Sequence, residues 1–124
     1  MANELILIVE DNEKNRKLVR DTLQYKGYQT VEAETGEDGV RLARERKPAL
    51  VLMDIQLPGI DGITALGQLR ADATTRDIPV IAVTASVMTQ DRQKIMAAGF
   101  DAYQGKPISV RELMETVRQI LDRP

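Results

Sequence analysis

Leu50-Val51-Leu52-Met53-Asp54-Ile55-Gln56-Leu57-Pro58-Gly59 runs four apolar residues into a carboxylate and then into turn residues. A short apolar run bounded in this way reads as a strand buried on both faces. In open parallel sheets, ligands gather outside the carboxyl ends of the strands, so Asp54 stands where chemistry can occur.

Working outward, Leu5 to Val9 is a second continuous apolar run, and it stops at Glu10-Asp11-Asn12. Glu13 to Lys26 then carries Leu18, Val19, Thr22 and Leu23 at helical spacing, with Gly27 at the stop. Gln29 to Ala33 alternates weakly, which suits an edge strand, and Gly36 to Lys47 reads as a helix with Val40 and Ala43 inward and Arg41, Arg44 and Glu45 outward. Arg41, Arg44, Arg46 and Lys47 read as a solvated helix face. Beyond Asp54, Pro58 to Gly62 supplies turn chemistry before a short helix from Ile63 to Arg70. Pro79 to Thr84 is a further buried strand, followed by the small residues Ala85 and Ser86. Thr89 to Ala98 reads as a helix closed by Gly99, Asp101 to Gln104 as a short strand, and Val110 to Leu121 as an amphipathic helix with 110, 113, 117, 120 and 121 apolar.

Strands and helices thus alternate five times along the 124 residues. Such alternation implies right-handed βαβ units: an α/β fold with a five-stranded parallel sheet and five helices on both faces. The expected strand order is the flavodoxin-like 2-1-3-4-5, which makes the first and third strands neighbours at the switch point and brings Asp11 and Asp54 to one crevice. At this length the chain is expected to form one domain, 1–124.

Composition narrows the chemistry. There is no cysteine, so disulfides, thiolate catalysis and the usual structural zinc sites are excluded. There is no histidine either, which removes Ser-His-Asp chemistry and any role as a phosphohistidine donor. A net charge of −2 offers no reason to bind nucleic acid. The N-terminus lacks the basic and apolar parts of a signal peptide, and no apolar run approaches the roughly 20 residues that span a bilayer; a cytoplasmic location is expected.

At the strand ends, Asp11 or Asn12 could simply cap the following helix. Clustered carboxylates repel, however, and raise one another's pKa unless a cation sits among them. Oxygen-only ligands suit Mg²⁺, which makes a metal site the economical reading of Glu10, Asp11 and Asp54. Thr84 could be a strand-end residue chosen for β propensity or a helix cap, and Lys106-Pro107 a solvated lysine in a turn. Placed on the edge that carries Asp54, the hydroxyl and the ammonium could instead bond and neutralise a phosphoryl group.

Glu10-Asp11-Asn12, Asp54, Thr84 and Lys106-Pro107, in this order and on these elements, resemble the response-regulator receiver domain, a CheY-like fold. The likeness covers essentially the whole chain. Glu10 to Asn15 and Asp54 to Pro58 more narrowly resemble single-domain regulators of the DivK type and the receivers of hybrid histidine kinases. The resemblance implies a phosphoacceptor of a two-component or phosphorelay system, phosphorylated on Asp54 by a histidine kinase or histidine phosphotransfer protein. It implies Mg²⁺ held by Asp11 directly, by Glu10 through water, and by Asp54 and the backbone carbonyl of Gln56. Thr84 and Lys106 would contact the phosphoryl oxygens, and a cis peptide would join Lys106 to Pro107. Gly105 departs from the many receivers that carry a side chain just before the lysine.

The same resemblance makes Tyr103 a switch that fills the space Thr84 vacates; a half-exposed tyrosine packed on the last helix is the plain alternative. Output would then pass to a downstream protein through the face made by the helix at 89–98, the strand at 101–104 and the helix at 110–121. Met88, Met96 and Met114 lie on or near that face and read chiefly as core or gap-filling residues, secondarily as adaptable contacts. Since no DNA-binding element follows residue 124, output is expected to run through a partner protein or a larger assembly. A receiver cut from a hybrid kinase, or one that binds without phosphorylation, stays open. The expected chemistry is confined to the chain's own phosphorylation and dephosphorylation, so it is not read as an enzyme. An aspartate-nucleophile phosphatase normally shows Asp-x-Asp, whereas Gln56 stands second after Asp54. A flavodoxin-like cofactor carrier would need Gly, Ser and Thr in the first turn, which is acidic here.

Overall fold

A computed structural model describes residues 3–85 and 89–122, with the side chains of residues 89 and 90 excepted. Ten elements follow in order: β1 (Leu5–Val9), α1 (Glu13–Tyr25), β2 (Gln29–Ala33), α2 (Gly36–Arg46), β3 (Leu50–Asp54), α3 (Gly62–Ala71), β4 (Val80–Thr84), α4 (Thr89–Ala97), β5 (Ala102–Gly105) and α5 (Val110–Leu121). All strand pairs are parallel and the order is β2-β1-β3-β4-β5, as the alternation of elements implies. The expected boundaries hold to within a residue or so. Ser86 and Met88 lie outside the described residues.

Alternate residues of each central strand face opposite helix layers, which is why the strands read as unbroken apolar runs. Leu7, Val9, Val51, Met53, Val80 and Ala82 pack with residues of α2, α3 and α4, while Ile6, Ile8, Leu50, Leu52 and Ile81 pack with α1 and α5. Every residue of β3 and β4 is buried. Burying one such Leu or Ile contributes about 1.5–3 kcal/mol, so the sheet is a stiff platform for what stands at its ends.

Two helix stripes are narrower than their sequence patterns. α1 buries Val19 and Leu23 but leaves Leu18 exposed, because Leu18 lies one helical step to the side of the line that meets the sheet. Val110 is likewise exposed, and the buried stripe of α5 begins one turn later at Leu113. Side-chain caps start four of the helices: Asn12, Thr35, Asp61 and Ser109 each accept the N–H of the residue three positions on. Asn12, rather than Asp11, therefore serves as the cap of α1, which leaves the Asp11 carboxylate available. Among the described residues no helix is long and apolar enough to cross a membrane.

Candidate functional site

The register brings Val9 opposite Met53, so the next residues, Glu10 and Asp54, emerge side by side at the carboxyl edge. Asp54 is 3% exposed and Glu10 4%, whereas Asp11 in the following turn faces solvent. One oxygen from each of these three carboxylates lies within 4.8 Å of the others. The donor set is oxygen only and suited to a hard divalent cation.

Lys106 comes to the same place from the far edge of the sheet. Its backbone N–H donates to the Thr84 carbonyl at 2.8 Å, extending the pairing of β5 with β4, and the next peptide, Lys106-Pro107, is cis. Its ammonium lies 2.8 Å from Asp54 Oδ2 and 3.0 Å from Glu10 Oε1. The side chain is 20% exposed, so the reading of a solvated turn lysine fails. Thr84 is buried at the end of β4. The Gln56 N–H donates to Asp54 Oδ1 at 3.2 Å, and the Asn12 N–H to Glu10 Oε2 at 3.2 Å.

Electrostatics follow from this crowding. The Glu10 carboxyl is pushed up to about 7, first by burial and next by its hydrogen bond with Asp54; Lys106 and the Asn12 N–H oppose the rise. Burial alone would lower the Lys106 ammonium, but its bonds to Asp54 and Glu10 outweigh this and hold it above its ordinary value. Three acids and one base leave the cluster short of positive charge.

A buried aspartate at the switch point, with two acids beside it and a lysine across it, is the arrangement that the sequence motifs imply, and residues 6–118 match the response regulator receiver domain. The chain belongs to that family. It is 47% identical to the polar-differentiation response regulator DivK of Brucella anthropi over 116 residues, 94% of each chain. The receiver domain of a sensor histidine kinase from Pseudomonas aeruginosa, solved with magnesium coordinated in its active-site cleft, superposes with a TM-score of 0.91 at 33% identity, covering 98% of this chain and 100% of that one. A CheY-like receiver from Methanospirillum hungatei gives 0.88 at 28% identity, over 98% of this chain and 95% of that one. The protein is thus a phosphoacceptor response regulator of two-component signalling, and its acidic cluster can hold a metal.

Tyr103, half-buried on β5, packs against the cluster formed with α2, α3 and α4, not simply on the last helix; the Arg92 guanidinium lies 4.8 Å from its ring centroid. Met96 is exposed rather than core, while Met114 is packed against the α1/α5 cluster. The basic side chains of α2 are solvated, with Arg41 paired to Asp38 and Glu45, and Arg44 to Asp72.

Sequence patterns missed two residues that shape the site. Gly62 opens α3, and a Cβ there would collide with the Asp54 carbonyl and come within 2.8 Å of Ile55 Cα. Its N–H donates to the Ile55 carbonyl at 2.9 Å, folding the loop after β3 back on itself. Arg16, from α1, donates to the Glu10 carbonyl at 3.0 Å. Both act through backbone atoms, which leave no trace in a pattern of residue types.

Proposed function

We propose that Asp54 is the phosphoacceptor. A carboxylate oxygen of Asp54 attacks phosphorus; the bond from phosphorus to the donor nitrogen, or to oxygen in a small acyl phosphate, breaks, and the leaving group departs with that electron pair and takes up a proton. No general base is needed, since the reaction depends on in-line positioning and charge neutralisation. The observation that carries the reading is the convergence of Glu10, Asp11 and Lys106 on a buried Asp54.

Glu10, Asp11, Asp54 and the Gln56 carbonyl would hold Mg²⁺, whose bound charge would neutralise phosphoryl oxygens. The oxygen-only cluster and the raised Glu10 carboxyl, which a cation would relieve, support this. Lys106 can transfer one of its hydrogen bonds from a carboxylate to a phosphoryl oxygen, and the Thr84 hydroxyl provides another donor. The donor is a histidine kinase or phosphotransfer protein, because the chain has no histidine of its own. Thr84 and Tyr103 relay the change to a protein partner on the face of α4, β5 and α5. The chain catalyses only its own phosphorylation and dephosphorylation, in the cytoplasm.

Incubation with Mg²⁺ and acetyl phosphate should yield an acid-stable, base-labile acyl phosphate. Its absence from the wild type, or its persistence in Asp54→Asn, overturns the assignment.

A further inference from the structure

We propose that Arg16 is a positioning residue for the acidic turn, fixing the peptide group that joins Glu10 to Asp11. This role rests on the metal reading of that turn given above.

The ladder between β1 and β2 ends where the Glu10 N–H donates to the Ala33 carbonyl at 3.0 Å. The Glu10 carbonyl has left the ladder, and it accepts Arg16 Nη1 at 3.0 Å. That oxygen belongs to the peptide unit whose nitrogen is that of Asp11. Rotating this plane would swing Asp11 away from Glu10 and Asp54. The Glu10 carboxylate has two further anchors, the Asn12 N–H and Lys106. Asp11 is solvent-facing, so its place depends on the backbone that Arg16 holds.

Arg16 is itself braced. Its side chain is 14% exposed, and Nε donates to Glu32 Oε1 at 3.1 Å on the edge strand β2. A planar guanidinium can direct Nε at a carboxylate and Nη1 at a carbonyl together, which the single ammonium of lysine on a flexible stem reproduces poorly. Arg20, one turn on, pairs with the same carboxylate at 3.1 and 3.2 Å and does not bond to Glu10. If Glu32 needed only a counter-charge, Arg20 would suffice. Arg16 also lies 3.6 Å from the exposed Glu34 carboxylate and Arg20 3.5 Å from Asp21, both loose pairs; of the two arginines, it is Arg16 that reaches the turn.

The test is Mg²⁺ titration by calorimetry on the full chain without phosphodonor, comparing Arg16→Ala, Arg16→Lys and Arg20→Ala, with thermal unfolding in chelator as the fold control. Loss of a residue supporting a metal ligand typically weakens binding about tenfold or more. Both Arg16 variants should show that loss, while Arg20→Ala should bind within about twofold of wild type even where it lowers the melting temperature. A purely structural role would lower the melting temperature of all three and leave their affinities equal. Wild-type affinity in Arg16→Lys, or equal losses in Arg16→Ala and Arg20→Ala, overturns the proposal and leaves the metal site standing. If the wild type binds no Mg²⁺, the metal reading falls and this role falls with it. Should Arg16→Ala fail to fold, the Arg16→Lys and Arg20→Ala comparison decides alone.

Discussion

Lys106 Nζ sits 2.8 Å from Asp54 Oδ2, although 52 positions separate the two residues in the chain. The contact joins the residue after β5 to the end of β3 across β4, so it is both a tertiary link and the counter-charge of the Asp54 carboxylate. Removing one partner of a buried pair leaves the other charge uncompensated, which costs about 3–5 kcal/mol when burial is complete. Lys106 is one-fifth exposed, so Lys106→Met should cost less, about 1–3 kcal/mol in chelator. Asp54→Asn with Lys106→Met should then lose less than the sum of the single changes, since the neutral amide removes the orphaned charge. Urea unfolding of the four proteins gives the coupling energy; strict additivity would mean that the two side chains do not interact in solution.

The Glu10 carboxyl makes the same cluster pH-sensitive. Its folded-state pKa, about 7, lies above the ordinary value of 4.5. Between those values the folded state binds more protons than the unfolded one, so this group's contribution to stability falls as pH rises through the window. In chelator, wild type should become less stable from pH 4.5 towards 7, and Glu10→Gln should flatten that slope. Mg²⁺ bound among these carboxylates, as proposed, would displace the Glu10 proton, so its affinity should rise over the same interval and level off above it. An affinity independent of pH across the window would show that Glu10 is already ionised without metal.

Most of this arrangement is legible in the sequence because a parallel sheet places every strand's carboxyl end at one edge. Once the five strands are recognised, three of them as apolar runs, the residues at or just beyond their carboxyl ends, Glu10, Asp54, Thr84 and Lys106, must come to one edge whatever the helices contain. What escaped is carried by the backbone or by helix phase. Leu18 and Val110 fit an apolar stripe but lie beside or before the line of contact with the sheet. Arg16 and Gly62 resemble a surface base and a turn glycine until the carbonyls they meet are located. Gly105 departs from the receivers that carry a side chain before the lysine, yet a Cβ there would meet nothing within 4 Å, and the lysine is held by its own two ion pairs.

Gly62 and Gly67 lie on one helix and should respond oppositely to alanine. At 62 the added methyl runs into the Asp54 carbonyl and Ile55, both backbone, so β3 or the loop must move. Such overpacking costs about 1–3 kcal/mol and should slow acetyl phosphate labelling, because the displaced atoms carry Asp54, the proposed acceptor. At 67 a methyl meets nothing within 4 Å, and replacing an exposed mid-helix glycine should stabilise by about 0.5–1 kcal/mol with labelling unchanged. Denaturation midpoints paired with labelling rates separate the two; equal labelling in Gly62→Ala would mean that the loop yields without disturbing Asp54.

Arg70 is the converse case, a residue whose loss should cost stability and spare the chemistry. It stands at the opposite edge of the sheet, where β4 begins, and donates through Nη1 to the carbonyls of Arg76 and Ile78 at 2.8 and 2.6 Å. Through Nη2 it reaches the Gly99 carbonyl at 3.1 Å and Asp101 Oδ2 at 3.0 Å, and that carboxylate also accepts the Val80 N–H at 2.8 Å. One guanidinium thus ties the end of α3 to the entries of β4 and β5 and to the residue that closes α4. Arg70→Ala strands several carbonyls that water can partly rescue, so the loss should be about 1–3 kcal/mol rather than the sum of four bonds. Arg70→Lys should recover only part of it, because one ammonium cannot span four acceptors on two sides. Mg²⁺ affinity and Asp54 labelling should match wild type below the unfolding transition, since the strands between the two edges are buried and close-packed. A labelling defect in folded Arg70→Ala would show that the entry to β5 is mechanically coupled to Lys106 at its exit.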